Sequence, residues 1–231
     1  MLRFDGVRIE QGSFALTADW AVPAGAKVAL IGPSGAGKST LLLALAGFVP
    51  LAAGRVLWAG QDLGPLPPAA RPVAMLFQDQ NLFPHLTVAQ NLGLALSPDL
   101  RLTAEQQAQV AGVLDRLGLR GLDARRPGAL SGGQIGRAAL GRVLLQARPV
   151  LVLDEPFAAL GPGLKADLLT LVADVAAGLT VLMVTHDPAD ARRFADLAVL
   201  VADGVAAAPV ATAALFADPP AALRAYLGQP G

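Results

Sequence analysis

Gly32-Pro-Ser-Gly-Ala-Gly-Lys-Ser-Thr40 has the spacing G-x-x-x-x-G-K-S, between an apolar run (Lys27–Ile31) and a helix-like stretch (Ser39–Ala46). Strand, glycine loop and helix in that order let backbone N–H groups wrap phosphate oxygens. Lys38 reaches the β and γ phosphates, Ser39 offers a hydroxyl to Mg²⁺, and Thr40 adds a bond to the α phosphate. The candidate cradle is therefore Gly32, Pro33, Ser34, Gly35, Ala36, Gly37, Lys38, Ser39 and Thr40, with a nucleoside triphosphate as its ligand.

Three other positions supply groups that such a ligand needs. Val150-Leu-Val-Leu-Asp-Glu155 is an apolar run ending in two carboxylates. Asp154 suits a Mg²⁺ partner acting through water, and Glu155 suits the base that orients an attacking water. Gln78 ends the run Val73–Phe77, where its amide can bind the metal and sense the γ phosphate. His186, one of two histidines, follows Thr180–Val184. Ligands gather at the C-terminal edge of parallel strands, so a γ-phosphate contact suits it. Each has a plainer reading: a solvated strand end, a loop start, a structural histidine.

Leu130-Ser-Gly-Gly-Gln134 precedes a good helix pattern and forms a second anion-ready turn. Ser131 also suits a helix N-cap, and the two readings are compatible. One chain thus carries two phosphate sites.

The elements that must hold these residues follow from periodicity. Leu2–Ile9 and Ser13–Trp20 alternate and predict antiparallel strands. Arg55–Ala59, Val73–Phe77, Val150–Leu153, Thr180–Val184 and Leu197–Val201 predict further strands, the fully apolar ones buried on both faces. From Thr87 to about Leu119 the pattern is helical. Ser131–Ala147, Gly163–Ala176, Pro188–Ala195 and parts of the Ala-rich tail 211–227 predict helices. Strands alternating with helices make an α/β core with a mostly parallel sheet. The stretch from about Asp79 to Ala147 interrupts the alternation and predicts an inserted helical subdomain within a single domain of residues 1–231.

Composition narrows the class. The 231 residues are 54% hydrophobic and 16% charged, so a full core is expected and disorder is not. The formal net charge is zero, which argues against nucleic acid as the main partner. Without cysteine there is no disulfide or thiolate chemistry. Mean hydropathy is high, at +0.51. Even so, the longest uncharged apolar stretch, Ser39–Gly54, is broken by Gly47 and Pro50 and is too short to span a bilayer. Met1–Glu10 carries Arg3, Asp5, Arg8 and Glu10, unlike a signal peptide. A cytoplasmic protein is expected.

With these pieces in order, nearly the whole chain resembles the nucleotide-binding subunits of ATP-binding cassette importers. The most specific element is LSGGQ, some twenty residues before LVLDEP. The resemblance implies the P-loop NTPase fold of that family, with an N-terminal antiparallel β subdomain. It implies ATP and Mg²⁺ as cofactors. It also implies that Ser131, Gly132, Gly133 and Gln134 contact ATP held by a second copy of the chain, in a head-to-tail sandwich dimer. That accounts for two phosphate sites per chain. Further implied partners are a pair of membrane permease subunits and, indirectly, a periplasmic or lipoprotein substrate-binding protein. The chain would then lie peripherally on the cytoplasmic face of the inner membrane. Asp79–Val88 would meet the permease; Leu82, Phe83 and Leu86 either line an apolar groove for it or fill the subdomain's own core.

The stretch RPVAMLFQDQNLFPHLTVAQNLGLAL is particularly similar to the ATPases of thiamine importers, making thiamine or its phosphates the expected cargo. Relatives for maltose, polyamines or molybdate usually carry an added C-terminal domain, which this length does not accommodate. Another small solute such as iron or a polyamine is the alternative. A cassette ATPase of DNA repair or translation is disfavoured by the neutral single cassette, and a P-loop kinase would not need LSGGQ. Three departures stand out. No aromatic for adenine occupies Ile9–Gln11, and Phe14, the nearest, suits core packing. Gly161 stands where the family commonly has Asp. Ile135-Gly136 replaces a polar pair, with Gly136 expected in the first turn of its helix.

Overall fold

The computed structural model describes residues 1–79 and 82–228. Along the chain run β1 (Leu2–Gln11), β2 (Phe14–Val22), β3 (Lys27–Ile31), α1 (Lys38–Ala46), β4 (Ala53–Trp58), β5 (Gln61–Asp62) and β6 (Val73–Leu76). Then come α2 (Val88–Gly93), α3 (Ala104–Arg116), α4 (Gly132–Leu144), β7 (Val150–Asp154) and α5 (Pro162–Val175). The chain closes with β8 (Thr180–Val184), α6 (Pro188–Phe194), β9 (Leu197–Ala202), β10 (Val205–Ala206), β11 (Val210–Ala211), α7 (Thr212–Ala217) and α8 (Ala221–Tyr226). Two units result: residues 1–73 with 178 onward, and residues 74–177.

In the first unit the strand order is β5-β4-β1-β2-β10-β9-β3-β8. β1 pairs antiparallel with β2 and with β4, forming the expected N-terminal antiparallel region. Its alternation puts Leu2, Phe4, Val7 and Ile9 inside. Phe4 meets Trp20 with ring centroids 4.4 Å apart, and the Trp20 indole N–H donates to the Ala206 carbonyl at 3.0 Å. β3 pairs parallel with both β8 and β9. Every residue of β8 is buried, which explains its unbroken apolar sequence.

The second unit holds β6 from Ala74, its neighbour β7, and helices α2 to α5. Each of α2, α3 and α4 opens with a capping box, formed by Thr87 with Gln90, Thr103 with Gln106, and Ser131 with Gln134. The helical stretch expected over Thr87–Leu119 resolves into two helices. Turns after Gly93 lead to Leu100, which is left-handed at φ 59°, and Thr103 then caps a fresh start. No helix among the described residues is long and apolar enough to cross a membrane.

Candidate nucleotide site

The glycine loop bridges the end of β3 and the start of α1. Two of its glycines are required by their surroundings. Gly32 has φ +145°, and a Cβ there would stand 2.0 Å from the Val201 carbonyl oxygen on β9. Gly37 has φ +100°, and a Cβ would meet the Phe14 ring at 2.4 Å. Lys38 is only 4% exposed. Its ammonium folds back over the loop, donating to the Gly32 carbonyl at 2.9 Å and the Pro33 carbonyl at 2.7 Å. A buried cation needs close acceptors, and phosphate oxygens are the stronger kind. Gly37 gives α1 no side-chain cap, and the first turn holds no acidic residue. The positive end of the α1 dipole therefore meets no carboxylate of its own first turn.

α1 is secured at its other end by Arg71, which no motif or spacing singles out. Its guanidinium, 8% exposed, donates to the carbonyls of Ala44 at 2.9 Å, Leu45 at 2.8 Å and Leu66 at 3.1 Å. Burial lowers its pKa from the ordinary value, as the interior disfavours the charged form. A cation on the last carbonyls also complements the negative end of the helix.

His186 belongs to the same unit. β8 runs beside β3 with Val184 opposite Leu30, and the Thr185 N–H donates to the Leu30 carbonyl at 3.4 Å. His186 and the glycine loop thus leave neighbouring parallel strands at one edge. Flanking bonds fix the turn: Thr185 Oγ1 donates to Asp190 at 3.0 Å, the Asp187 N–H donates to Thr185 Oγ1 at 3.1 Å, and Asp187 caps α6 through the Ala189 N–H at 2.9 Å.

The remaining candidates lie in the second unit. Asp154 ends β7 and Gln78 lies just past β6. Glu155 is left-handed at φ 47°, a conformation that disfavours an L side chain. Strain of this kind is commonly retained where a side chain must be aimed. Ser131 caps α4, its hydroxyl accepting from the Gln134 N–H at 3.4 Å while the Gln134 amide oxygen accepts from the Ser131 N–H at 2.9 Å. Gly132 and Gly133 pack close to the segment between Glu155 and α5 and to the start of α5 itself. A Cβ on Gly132 would stand 3.0 Å from Leu160, and one on Gly133 would stand 2.9 Å from Leu164. Because α4 begins at Gly132, Gly136 falls in its second turn rather than its first.

Within Asp79–Val88, Gln80 and Asn81 lie outside the described residues. Leu82 and Leu86 are half-buried, while Phe83 is 46% exposed with the Arg142 guanidinium 5.9 Å from its ring. The loop is held by Asn91, fully buried, whose amide accepts from the Phe83 N–H at 2.7 Å and donates to the carbonyls of Phe83, Leu86 and Thr87. Phe14 is half-buried, its ring against Gly37 of the glycine loop where the buried Leu16 also approaches.

The family model described as "ABC transporter" matches residues 16–158, more than half of the chain. The chain belongs to the ABC transporter family. Its α/β fold, with P-loop, antiparallel region and helices, is that of an ABC ATPase cassette. It is 65% identical to the thiamine import ATP-binding protein of Cereibacter sphaeroides, over 99% of this chain and 100% of that one. It is 56% identical to the protein of the same name from Ruegeria, with the same coverage. Among solved structures it is similar to MJ1267, an ABC transporter cassette in its ADP conformation, at TM-score 0.87 and 27% identity over 99% of both chains. It is also similar to a dimeric cassette, MJ0796, bound to ADP and Pi, at TM-score 0.78 and 26% identity over 92% of this chain and 99% of that one. This ABC cassette is therefore an ATP-binding ATPase of an importer.

Proposed function

We propose that this chain powers the import of thiamine or its phosphates. The observation that carries the reading is the 65% identity, over its full length, to a protein named for thiamine import. The chain works as a head-to-tail dimer at the cytoplasmic face of the inner membrane, beneath two permease subunits that a substrate-binding protein supplies. Nucleic acid has no part in it.

Lys38 and the loop N–H groups hold the β and γ phosphates, and Thr40 holds the α phosphate. Ser39, Gln78 and Asp154 offer a hydroxyl, an amide and a carboxylate, the hard oxygen donors that Mg²⁺ prefers. Bound there, Mg²⁺ neutralises charge on the phosphates. Glu155 orients the water that attacks the γ phosphorus, accepting its proton. His186 hydrogen-bonds the γ phosphate, and Gln78 reports its presence to the 82–87 loop that faces the permease. Ser131, Gly132, Gly133 and Gln134 close on the γ phosphate of the second copy. Closure requires Gln134 to share or leave its capping box.

Light scattering of Glu155→Gln protein tests the dimer. ATP with Mg²⁺ is expected to give a dimer that Ser131→Arg abolishes; a dimer that survives Ser131→Arg would remove LSGGQ from the interface. Radiolabelled thiamine uptake by cells lacking the chain tests the cargo. Wild type is expected to restore uptake and Lys38→Ala is not; uptake unchanged by deleting the chain would overturn the thiamine reading.

A further inference from the structure

The chain contains a single tyrosine, Tyr226, in its last described helix. Its hydroxyl donates to the backbone carbonyl of His186 at 2.6 Å, across forty residues of sequence. The same C-terminal segment grips the polypeptide just beyond His186 a second time. Arg192 on α6 lies 4.5 Å over the ring of Phe216 on α7. Leu223, one turn before Tyr226, is fully buried and anchors α8. On the other flank, the buried Thr185–Asp190 bond fixes the start of the turn. The His186 peptide is therefore held on one side by its own strand and helix, and on the other by a tyrosine from the chain's end.

We propose that Tyr226 is a positioning residue for His186, so that the C-terminal segment sets how well the chain distinguishes ATP from ADP. The proposal rests on the γ-phosphate role given to His186 above. A hydrogen bond to the His186 carbonyl does not engage the imidazole, yet it limits rotation of the peptide that carries the ring. Its loss costs alignment rather than a contact with ligand, so the γ phosphate alone should register it.

Calorimetry on intact protein carrying Glu155→Gln, which keeps ATP whole during titration, tests this. Affinities for ATP and ADP are compared in that protein, with Tyr226→Phe, with His186→Ala, and with both. Tyr226→Phe keeps the ring and its packing, and the thermal midpoint checks folding. It is expected to lower the ATP-to-ADP affinity ratio about threefold, within the range of one neutral hydrogen bond, with ADP affinity unchanged. In the His186→Ala background it is expected to change nothing further. An unchanged ratio in Tyr226→Phe, an equal fall in ATP and ADP affinity, or the same loss in both backgrounds would overturn the proposal while leaving the role of His186 standing. If His186→Ala itself leaves the ratio unchanged, the γ-phosphate role falls, and this proposal with it.

Discussion

Two alanine substitutions in one helix should have opposite consequences. Both Gly133 and Gly141 lie in α4, where replacing glycine by alanine favours the helix by up to about 1 kcal/mol, less in the first turn at Gly133. At Gly141 the new Cβ would stand 2.8 Å from Leu117, 3.1 Å from Leu92 and 3.2 Å from Val113. Carbon pairs need about 3.5–4.0 Å, so three neighbours must retreat together. Leu92 and Leu117 are 0% and 1% exposed and have nowhere to go. Overpacking of this kind costs about 1–3 kcal/mol and more where several side chains are trapped. Gly141→Ala should therefore lose a net ~1–2 kcal/mol, a fall in Tm of about 2–8 °C for a chain of this size. At Gly133 the close atoms are the two methyl ends of Leu164 at 2.9 Å and its Cγ at 3.3 Å, on a half-buried side chain that can change rotamer. That adjustment costs about 0.5–1.5 kcal/mol and nearly cancels the helix gain. Gly133→Ala should melt within about 3 °C of wild type, yet the displaced Leu164 should shift the LSGGQ turn above it, so that the Glu155→Gln form no longer dimerises with ATP. Thermal melting by circular dichroism, with light scattering beside it, separates the two. A Gly141→Ala protein more stable than wild type would refute the packing argument. A Gly133→Ala protein that still dimerises would show that the LSGGQ turn closes even with Leu164 displaced beneath it.

Other substitutions probe the supports of the site. Gly161 caps α5 without a side-chain bond and a Cβ there meets nothing within 4 Å, so Gly161→Asp should fold normally and gain a few tenths of a kcal/mol, read as a Tm rise of about 1 °C. Arg71→Met should remove three bonds to backbone carbonyls and destabilise by about 3 kcal/mol in chemical denaturation, with Arg71→Lys recovering part of it. Asp5 is held below its ordinary pKa of 3.8 by its hydrogen bonds to Arg55 and then Arg3. Its contribution is present above that value and is lost as pH falls through the lower folded value, so Asp5→Asn should flatten the acid limb of Tm against pH.

The chemistry was legible where it is local. Lys27–Ile31 and Thr180–Val184 are strands with those bounds, because continuous apolar character between polar ends leaves little choice of register. The glycine loop follows from spacing alone. Thr103-x-x-Gln106 was a readable helix start inside the stretch expected to be helical, and its capping box opens α3. Arg71 and Tyr226 were not legible. Their partners include backbone carbonyls 27 and 40 residues away, and a carbonyl leaves no mark in sequence. Asn91 was equally hidden, since a buried asparagine and a solvated one look alike in a helical pattern.

The left-handed backbone at Glu155 has a consequence for how the chain tolerates change. Any side chain there, apart from glycine and to a lesser degree asparagine, forfeits about 1–2 kcal/mol of folding free energy. Random mutagenesis screened for heat resistance alone should thus enrich Gly or Asn at position 155, yielding sturdier proteins that bind ATP and never spend it. Growth that depends on ATP-driven transport should purge the same variants. Position 155 is where durability and work pull the sequence apart.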